Sequence, residues 1–250
     1  MKNTIISIDG CDRVGKQTLA ENLSSLLELH DKTVKIISLP SYAKNGAPHS
    51  PLEDMLKSGE LLKLSPIERA LLFANDRKEV INTFNTSAFS SEFDYIIFDR
   101  YSLSNIMYQL AVSIIDTYEI DDFKIDYNVM SNIMSDLVIN KQEFRELANH
   151  IYKLEHDIFK NPIPKYSIWL NGFRHSINES GNDSYEKSLA LQYIVSILNP
   201  NKLCNDLHWE YNIKRINVFD KNGSFINKEK ISTEAFQFIA VLLDKVEDLN

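Results

Sequence analysis

Nine consecutive residues near the start of the chain carry the strongest chemical signal. Gly10-Cys11-Asp12-Arg13-Val14-Gly15-Lys16-Gln17-Thr18 follows a short apolar run, Thr4 to Ile8, and precedes a stretch with Leu19, Leu23, Leu26 and Leu27 at helical spacing. A glycine-rich turn between a strand and a helix suits a phosphate group. Glycines let the backbone wrap closely around an anion, backbone N–H groups and a helix N-terminus favour negative charge, and Lys16 can reach terminal phosphates. The strict form of such a loop places Ser or Thr after the lysine to hold Mg2+. Here Gln17 stands in that position and Thr18 follows, so both are candidate ligands, the amide oxygen being the weaker one.

A second group lies at Asp99-Arg100, where an apolar run (Tyr95 to Phe98) ends. A carboxylate at a strand end beside a phosphate loop can hold Mg2+ directly or through water. The Arg100 guanidinium offers a fork that matches a second phosphate. Phe73 and Arg77 are spaced i, i+4 and so share one face of the helix expected over Glu68 to Phe84.

These groups need elements to carry them. Thr4 to Ile8, Thr33 to Leu39, Tyr95 to Phe98, Tyr166 to Leu170 and Arg215 to Phe219 read as strands. Lys16 to Leu29, Glu68 to Phe84 and Thr233 to Val246 read as helices. Alternation of this kind predicts an open α/β fold with a parallel sheet, and continuous apolar runs predict strands covered on both faces. Polar segments after Pro40 (SYAKNGAPHSP) and over 171–183 are candidate ligand-covering pieces. There is no internal repeat and no low-complexity tract.

With 27 Lys plus Arg against 35 Asp plus Glu, the net charge of -8 argues against duplex nucleic acid as the main partner. Small phosphorylated ligands need only a few placed cations. The 2 cysteines, Cys11 and Cys204, form no CxxC pair, so neither a zinc site nor a disulfide framework is expected. The opening MKNTIISIDG is too short in its apolar stretch for a signal peptide, and no apolar run approaches a membrane span. The expectation is a soluble cytoplasmic protein with no membrane partner.

In combination the motifs resemble the thymidylate kinase family. Asp9 to Thr18 resembles its phosphate loop, with an acid before the first glycine and an Asp inside. Asp99-Arg100-Tyr101-Ser102-Leu103-Ser104-Asn105-Ile106-Met107-Tyr108-Gln109 resembles its second signature, and Phe73-Ala74-Asn75-Asp76-Arg77 is similar to its helix motif. Ile151 to Glu155 and Pro162-Ile163-Pro164 resemble a subgroup. The resemblance runs in order along nearly the whole chain. It implies one domain over 1–250 with a P-loop NTPase-like sheet in the order 2-3-1-4-5, helices on both faces, and a short lid at about 171–186. It implies transfer of the γ-phosphoryl group of ATP to dTMP, with Mg2+, in a homodimer. Arg13, Lys16, Asp99 and Arg100 would be catalytic. Gly10 and Asp12 to Thr18 would hold ATP, with Arg174 near the adenine. Phe73 would stack on the thymine and Arg77 bond a base oxygen, with Ser104 and Asn105 near the base. Tyr108 would crowd the sugar 2′ position, Asp12 accept from the 3′-hydroxyl, and Arg100, Tyr42 and Gln109 complete the acceptor site.

The chain also departs from the family. Many relatives carry an Arg just after the proline of the strand-two loop; here Ser41 and Tyr42 follow Pro40, with Lys44 nearby. The segment 171–183 is short and offers only Arg174 and His175, and Asp183-Ser184-Tyr185-Glu186 lacks the lid arginine. Arg13 in the loop therefore takes the role of the charge-neutralising cation. Two other readings stay open: a kinase for another deoxynucleoside monophosphate, such as dUMP or a modified pyrimidine nucleotide, and a non-catalytic P-loop nucleotide-binding protein. A GTPase or partitioning ATPase would need an Asn-Lys-x-Asp motif, which the sequence lacks.

Overall fold

The computed structural model describes residues 3–40, 51–84, 92–120, 141–172, 189–219 and 224–247. Its centre is a five-stranded parallel sheet: β1 (Thr4–Gly10), β2 (Val34–Ser38), β3 (Tyr95–Asp99), β4 (Tyr166–Asn171) and β5 (Ile213–Asn217), in the order 2-3-1-4-5. β1 is the middle strand, pairing with β3 in the register Ile8↔Asp99 and with β4 in the register Gly10↔Leu170. Ile6, Ile8, Ile97, Ile168 and Trp169 are wholly buried. Consecutive buried residues on β1, β3 and β4 mean that helices cover both faces of the sheet.

The helices form two groups. α1 (Lys16–Glu28) packs on β1, β2 and β3 and against α8 (Lys228–Glu247), which also meets β5. The other group is α3 (Pro66–Phe84), α4 (Ser102–Tyr118), α5 (Gln142–Lys153) and α6 (Leu189–Ile197), with α4 touching the other three. α2 (Pro51–Ser58) and a 3-10 turn (Glu60–Lys63) precede α3. A π-helical turn (Leu154–Ile158) continues α5, and α7 (Pro200–Leu207) leads to β5.

Several boundaries differ from the sequence expectation, each for a local reason. α3 starts at Pro66 rather than Glu68 because Ser65 and Glu68 form a capping box. Ser65 N–H donates to Glu68 Oε2 at 2.8 Å, and Glu68 N–H donates back to Ser65 Oγ at 3.3 Å. β5 spans Ile213–Asn217, not Arg215 to Phe219. β4 stops at Asn171, whose carbonyl takes the Val218 N–H at 3.0 Å as the last bond between the two strands, and Phe219 bridges to Phe225 instead. α4 and α6 are buried almost all round, so no continuous exposed polar face marks them in the sequence. α5, by contrast, buries Phe144, Ala148 and Ile151 on one stripe, a pattern legible in the sequence. α8 begins at Lys228, five residues before the expected start at Thr233.

A buried polar chain ties the second group of helices to the lead-in of β5. His156 Nδ1 lies 2.7 Å from the Asn161 carbonyl, which can only accept, so Nδ1 carries the hydrogen. Nε2 then accepts from the Tyr211 hydroxyl at 2.7 Å, and Tyr211 accepts from Ser102 Oγ at 2.7 Å. Burial is the main force that holds the His156 imidazole below its ordinary pKa of 6.5. The unfolded chain therefore binds this proton first as pH falls. The His156 contribution is fully present above pH 6.5 and is lost as pH falls toward the folded value. Thermal unfolding midpoints from pH 7.5 to 5 should drop more steeply for the wild type than for His156→Gln, which hydrogen-bonds but does not titrate. Parallel slopes would refute this assignment.

Candidate active site

The phosphate loop is shaped by three left-handed backbone positions after β1. Gly10 has φ 139°, and a Cβ there would sit 2.4 Å from the Leu170 carbonyl oxygen, so only glycine fits against β4. Arg13 (φ 61°) and Gly15 (φ 92°) complete the turn into α1. The first turn of α1 has no side-chain cap and no acidic residue, which leaves its N–H groups and positive dipole end suited to an anion. Lys16 is nearly buried; its Nζ donates to the Cys11 carbonyl and lies 3.9 Å from Asp12 Oδ1. Burial pushes the Cys11 thiol up to about 12, so it is a packing residue rather than a nucleophile. Val14 is buried in the core under the loop.

Two strand-end carboxylates stand behind the loop. Asp9 is fully buried, and its Oδ1 accepts from Tyr101 N–H at 2.8 Å, Ser104 N–H at 3.0 Å and Ser104 Oγ at 2.5 Å. It thus caps α4 from across the sheet. These bonds also hold Arg100 in the left-handed region at φ 69°, an uncommon conformation for a non-glycine residue. Asp9 Oδ2 and Asp99 Oδ1 are buried with no hydrogen-bond partner. Burial raises the Asp99 pKa, Lys16 opposes the shift, and Asp9 adds to it. Unpartnered carboxylate oxygens beside a phosphate loop fit Mg2+, which takes one or two protein carboxylates and completes its shell with water and phosphate oxygens. Gln17 and Thr18 are exposed on the first turn of α1, and the Gln17 amide donates to Glu21 Oε1 at 2.9 Å.

Beside the loop opens a cleft between the phosphate-loop residue Asp12 and the helices α3 and α4. Asp12, Phe73, Arg77, Arg100, Asn105 and Tyr108 are on its wall. Arg100 Nη2 pairs with Asp12 Oδ1, and its Nη1 lies 3.4 Å from the Tyr108 hydroxyl. Gln192 on α6 closes the ring: its Nε2 donates to Asp12 Oδ2 at 2.6 Å, while its Oε1 accepts from Asp12 N–H at 2.8 Å and from Tyr108 at 3.1 Å. Burial raises the Tyr108 phenol to about 12, so it is a donor at neutral pH. Farther in, Arg77 Nη1 bonds Glu155 Oε1 at 2.9 Å, both side chains being buried.

Most of the expected residues thus converge, in two layers: Asp12, Lys16, Asp99 and Arg100 around the loop, and Phe73, Arg77, Asn105, Tyr108 and Gln109 deeper in the cleft. Ser104 reaches the cleft wall, but its hydroxyl is committed to Asp9. Tyr42 and Arg174 lie outside the described residues, as do Lys44 and almost all of the expected lid. The sequence reading assigned no site role to Asp9, Glu155, Asn161 or Gln192. Asp9 and Glu155 sit inside the motifs that carry the family resemblance. The signal for Gln192 was a lone amide in an otherwise apolar helix, since a buried polar group must find a partner.

A parallel 2-3-1-4-5 sheet with this loop after its central strand defines the chain as a P-loop nucleotide-binding protein. The family model for thymidylate kinase matches residues 8–161, more than half of the chain, and the chain belongs to that family. It is 32% identical over 107 residues to a thymidylate kinase of Mycobacterium tuberculosis, covering 43% of this chain and 49% of the relative. It is 34% identical over 107 residues to a probable thymidylate kinase of Archaeoglobus fulgidus, covering 43% and 50%. The chain spans about half the length of the curated relatives it matches. The solved thymidylate kinase of Candida albicans shares the fold at a TM-score of 0.53 and 21% identity, over 96% of this chain and 92% of that one.

If Asp9 holds the start of α4, Asp9→Ala should destabilise the protein by at least about 2 kcal/mol, since it removes a cap and leaves buried N–H groups unpaired. Asp9→Asn, which keeps an acceptor oxygen, should recover most of that loss. Urea unfolding of the two variants measures both effects, and equal midpoints would argue against the cap.

Proposed function

We propose that this protein is an ATP-dependent thymidylate kinase that transfers the γ-phosphoryl group of ATP to the 5′-phosphate of dTMP, giving ADP and dTDP for dTTP synthesis. One observation carries the reading: a single cleft joins the phosphate-loop residue Asp12 and the Arg100 fork to the Phe73–Arg77 face. Phosphoryl transfer asks the protein mainly to align two anions and to neutralise developing charge. In this reading the loop backbone from Gly10 to Gly15 and the start of α1, through Gln17 and Thr18, hold the ATP phosphates, and Lys16 turns from the Cys11 carbonyl to the terminal ones. Arg100 grips the acceptor phosphate, and Asp12 accepts from the sugar 3′-hydroxyl through its remaining lone pairs. Phe73 stacks on the base, Arg77 donates to a base oxygen, and Tyr108 crowds C2′. Gln109 supports the base-reading residues from behind, and Tyr42 and Arg174, outside the described residues, would serve the acceptor and the adenine.

Asp99 would hold Mg2+, with Asp9 behind it and Thr18 or Gln17 at the loop. When bound, the ion would neutralise charge on the phosphate oxygens. The family resemblance further supports one domain over 1–250 acting as a cytoplasmic homodimer. No helix among the described residues is long and apolar enough to cross a membrane.

The direct test is ADP release with dTMP, dUMP, dGMP and UMP as acceptors under one set of conditions. The expected order places dTMP first, with dGMP and UMP far behind. A preference for dGMP or UMP would overturn the base and sugar assignments, and ATP binding without turnover of any acceptor would make the protein a nucleotide-binding module.

Charge placement gives a second prediction. Arg13 lies inside the loop, and the 171–186 segment brings only Arg174 and His175 as basic residues. A guanidinium at the transferring group is worth about 10³- to 10⁵-fold in related systems. Arg13→Ala should therefore lower kcat by at least about 10²-fold with little change in ATP affinity. Arg174→Ala should cost less than about tenfold, near 1.4 kcal/mol of barrier. Should Arg174 prove the costlier loss, the cation comes from the other segment.

A further inference from the structure

Glu155 is completely buried on the π-helical turn after α5 and is not on the wall of the cleft. Its carboxylate can only accept hydrogen bonds, and it takes them from side chains. Arg77 Nη1 donates to Oε1 at 2.9 Å, Asn105 Nδ2 to the same oxygen at 2.8 Å, and Asn161 Nδ2 to Oε2 at 2.9 Å. Arg77 and Asn105 are both on the cleft wall, so what they can offer a ligand depends on what Glu155 takes from them.

Asn105 sits in a chain of hydrogen bonds with a direction. Arg69, buried and a donor only, gives Nε–H to Gln109 Oε1 at 3.0 Å. Gln109 Nε2 then faces Asn105 Oδ1 at 3.4 Å, and Asn105 Nδ2 donates to Glu155 and to the Ala70 carbonyl at 3.0 Å. A donor-only arginine at one end and an acceptor-only carboxylate at the other leave both amides one orientation. Turning Asn105 over would aim its oxygen at two acceptors. The N–H groups of Asn105 are therefore used, and only Oδ1 remains for a ligand. Arg77 is held as firmly. Its Nη1 donates to Glu155 and to the Phe73 carbonyl at 2.9 Å, and its guanidinium lies over the Tyr101 ring at 4.9 Å. Both bonds use Nη1, so on this cleft-wall guanidinium, which can only donate, Nη2 keeps its N–H groups for a ligand.

We infer that Glu155 is a positioning residue that sets the polarity of base recognition: by fixing Arg77 as a donor and Asn105 as an acceptor, it makes the cleft read a carbonyl next to an N–H. Thymine and uracil present that edge, with O4 beside N3–H. Cytosine presents the reverse, an amino group beside an unprotonated N3, which would set donor against donor and acceptor against acceptor. The inference rests on the pyrimidine nucleotide reading of this cleft and adds to it a residue that touches no substrate.

The experiment compares dTMP with dCMP in the wild type and in Glu155→Gln. An amide at 155 brings an N–H of its own, can meet Asn105 from either side, and no longer holds Arg77 by charge. The wild type should favour dTMP in kcat/KM by 100-fold or more, and Glu155→Gln should reduce that ratio at least tenfold, chiefly through KM for dTMP. KM for ATP should stay within twofold. Both nucleotides are assayed on one sample, so a loss of folded protein cancels from the ratio, and a merely structural role would leave it unchanged. Asn161→Ala loosens Glu155 without altering Arg77 or Asn105 and should move the ratio the same way by a smaller factor; it decides the matter if Glu155→Gln does not fold. Calorimetric affinities for dTMP and dCMP separate this inference from the kinase reading. Selective dTMP binding without turnover in the wild type, lost in the variant, would sink the kinase reading and keep the inference. An unchanged ratio in a folded variant, or no dTMP binding by the wild type, would overturn it.

Discussion

The constraint on which the site depends is one carboxylate shared between two strand ends. In a parallel sheet β1 and β3 finish side by side, and the register Ile8↔Asp99 brings the loop after β1 next to the residues that open α4. Arg100 N–H donates to the Ile8 carbonyl at 2.9 Å, and Asp9 Oδ1 takes the first N–H groups of the helix. A helix start otherwise leaves such groups unpaired. Here they are satisfied from the strand that carries the phosphate loop, so the loop and the helix bearing Ser104, Asn105, Tyr108 and Gln109 share one anchor. The Asp12–Arg100 pair then joins them a second time, and Gln192 fastens α6 to the same point.

Deeper in, the structure accepts the cost of buried charge. Replacing a buried ion pair with apolar groups is often neutral or stabilising, whereas removing one partner is strongly destabilising, so stability alone does not explain the Arg77–Glu155 pair. Orientation does. Donor-only and acceptor-only ends polarise the chain from Arg69 through Gln109 and Asn105 to Glu155, and in low-dielectric surroundings each bond strengthens the next. The result is a set of side chains with single orientations facing the cleft, which general packing would not specify.

How much of this was legible in sequence follows from how local each feature is. The phosphate loop and Asp99-Arg100 are contiguous, and Phe73 with Arg77 needs only helical spacing, so all of them could be read from the chain. The sheet order came from family resemblance, because strand propensity says nothing about which strands become neighbours. The capping box at Ser65 and Glu68 is written in the sequence and marks a helix start ahead of that acid. Gln192 lies 180 residues from Asp12, and Asn161 lies beyond the π-helical turn; their roles exist only once the sheet has brought those segments together. α4 and α6 show the opposite difficulty: a helix buried on every side loses the polar stripe that would reveal it.

The two cationic anchors of the cleft differ in a way that fits two tasks. Arg77 is 4% exposed against a wholly buried Glu155, with Nη1 fully engaged and its face on Tyr101, so its geometry is fixed before any ligand arrives. Arg100 is 25% exposed, and its partner Asp12 belongs to the phosphate loop itself. A guanidinium in contact with water can exchange one acceptor for another at little cost, whereas a buried one cannot move without stranding the charge it leaves. A base edge demands one arrangement of donors and acceptors. A phosphate in transit between ground state and transition state needs an anchor that can shift with the charge. Burial alone separates the two: the same side-chain type is held rigid beside Glu155 and left adjustable beside Asp12, as the proposed base-reading and phosphate-gripping roles require.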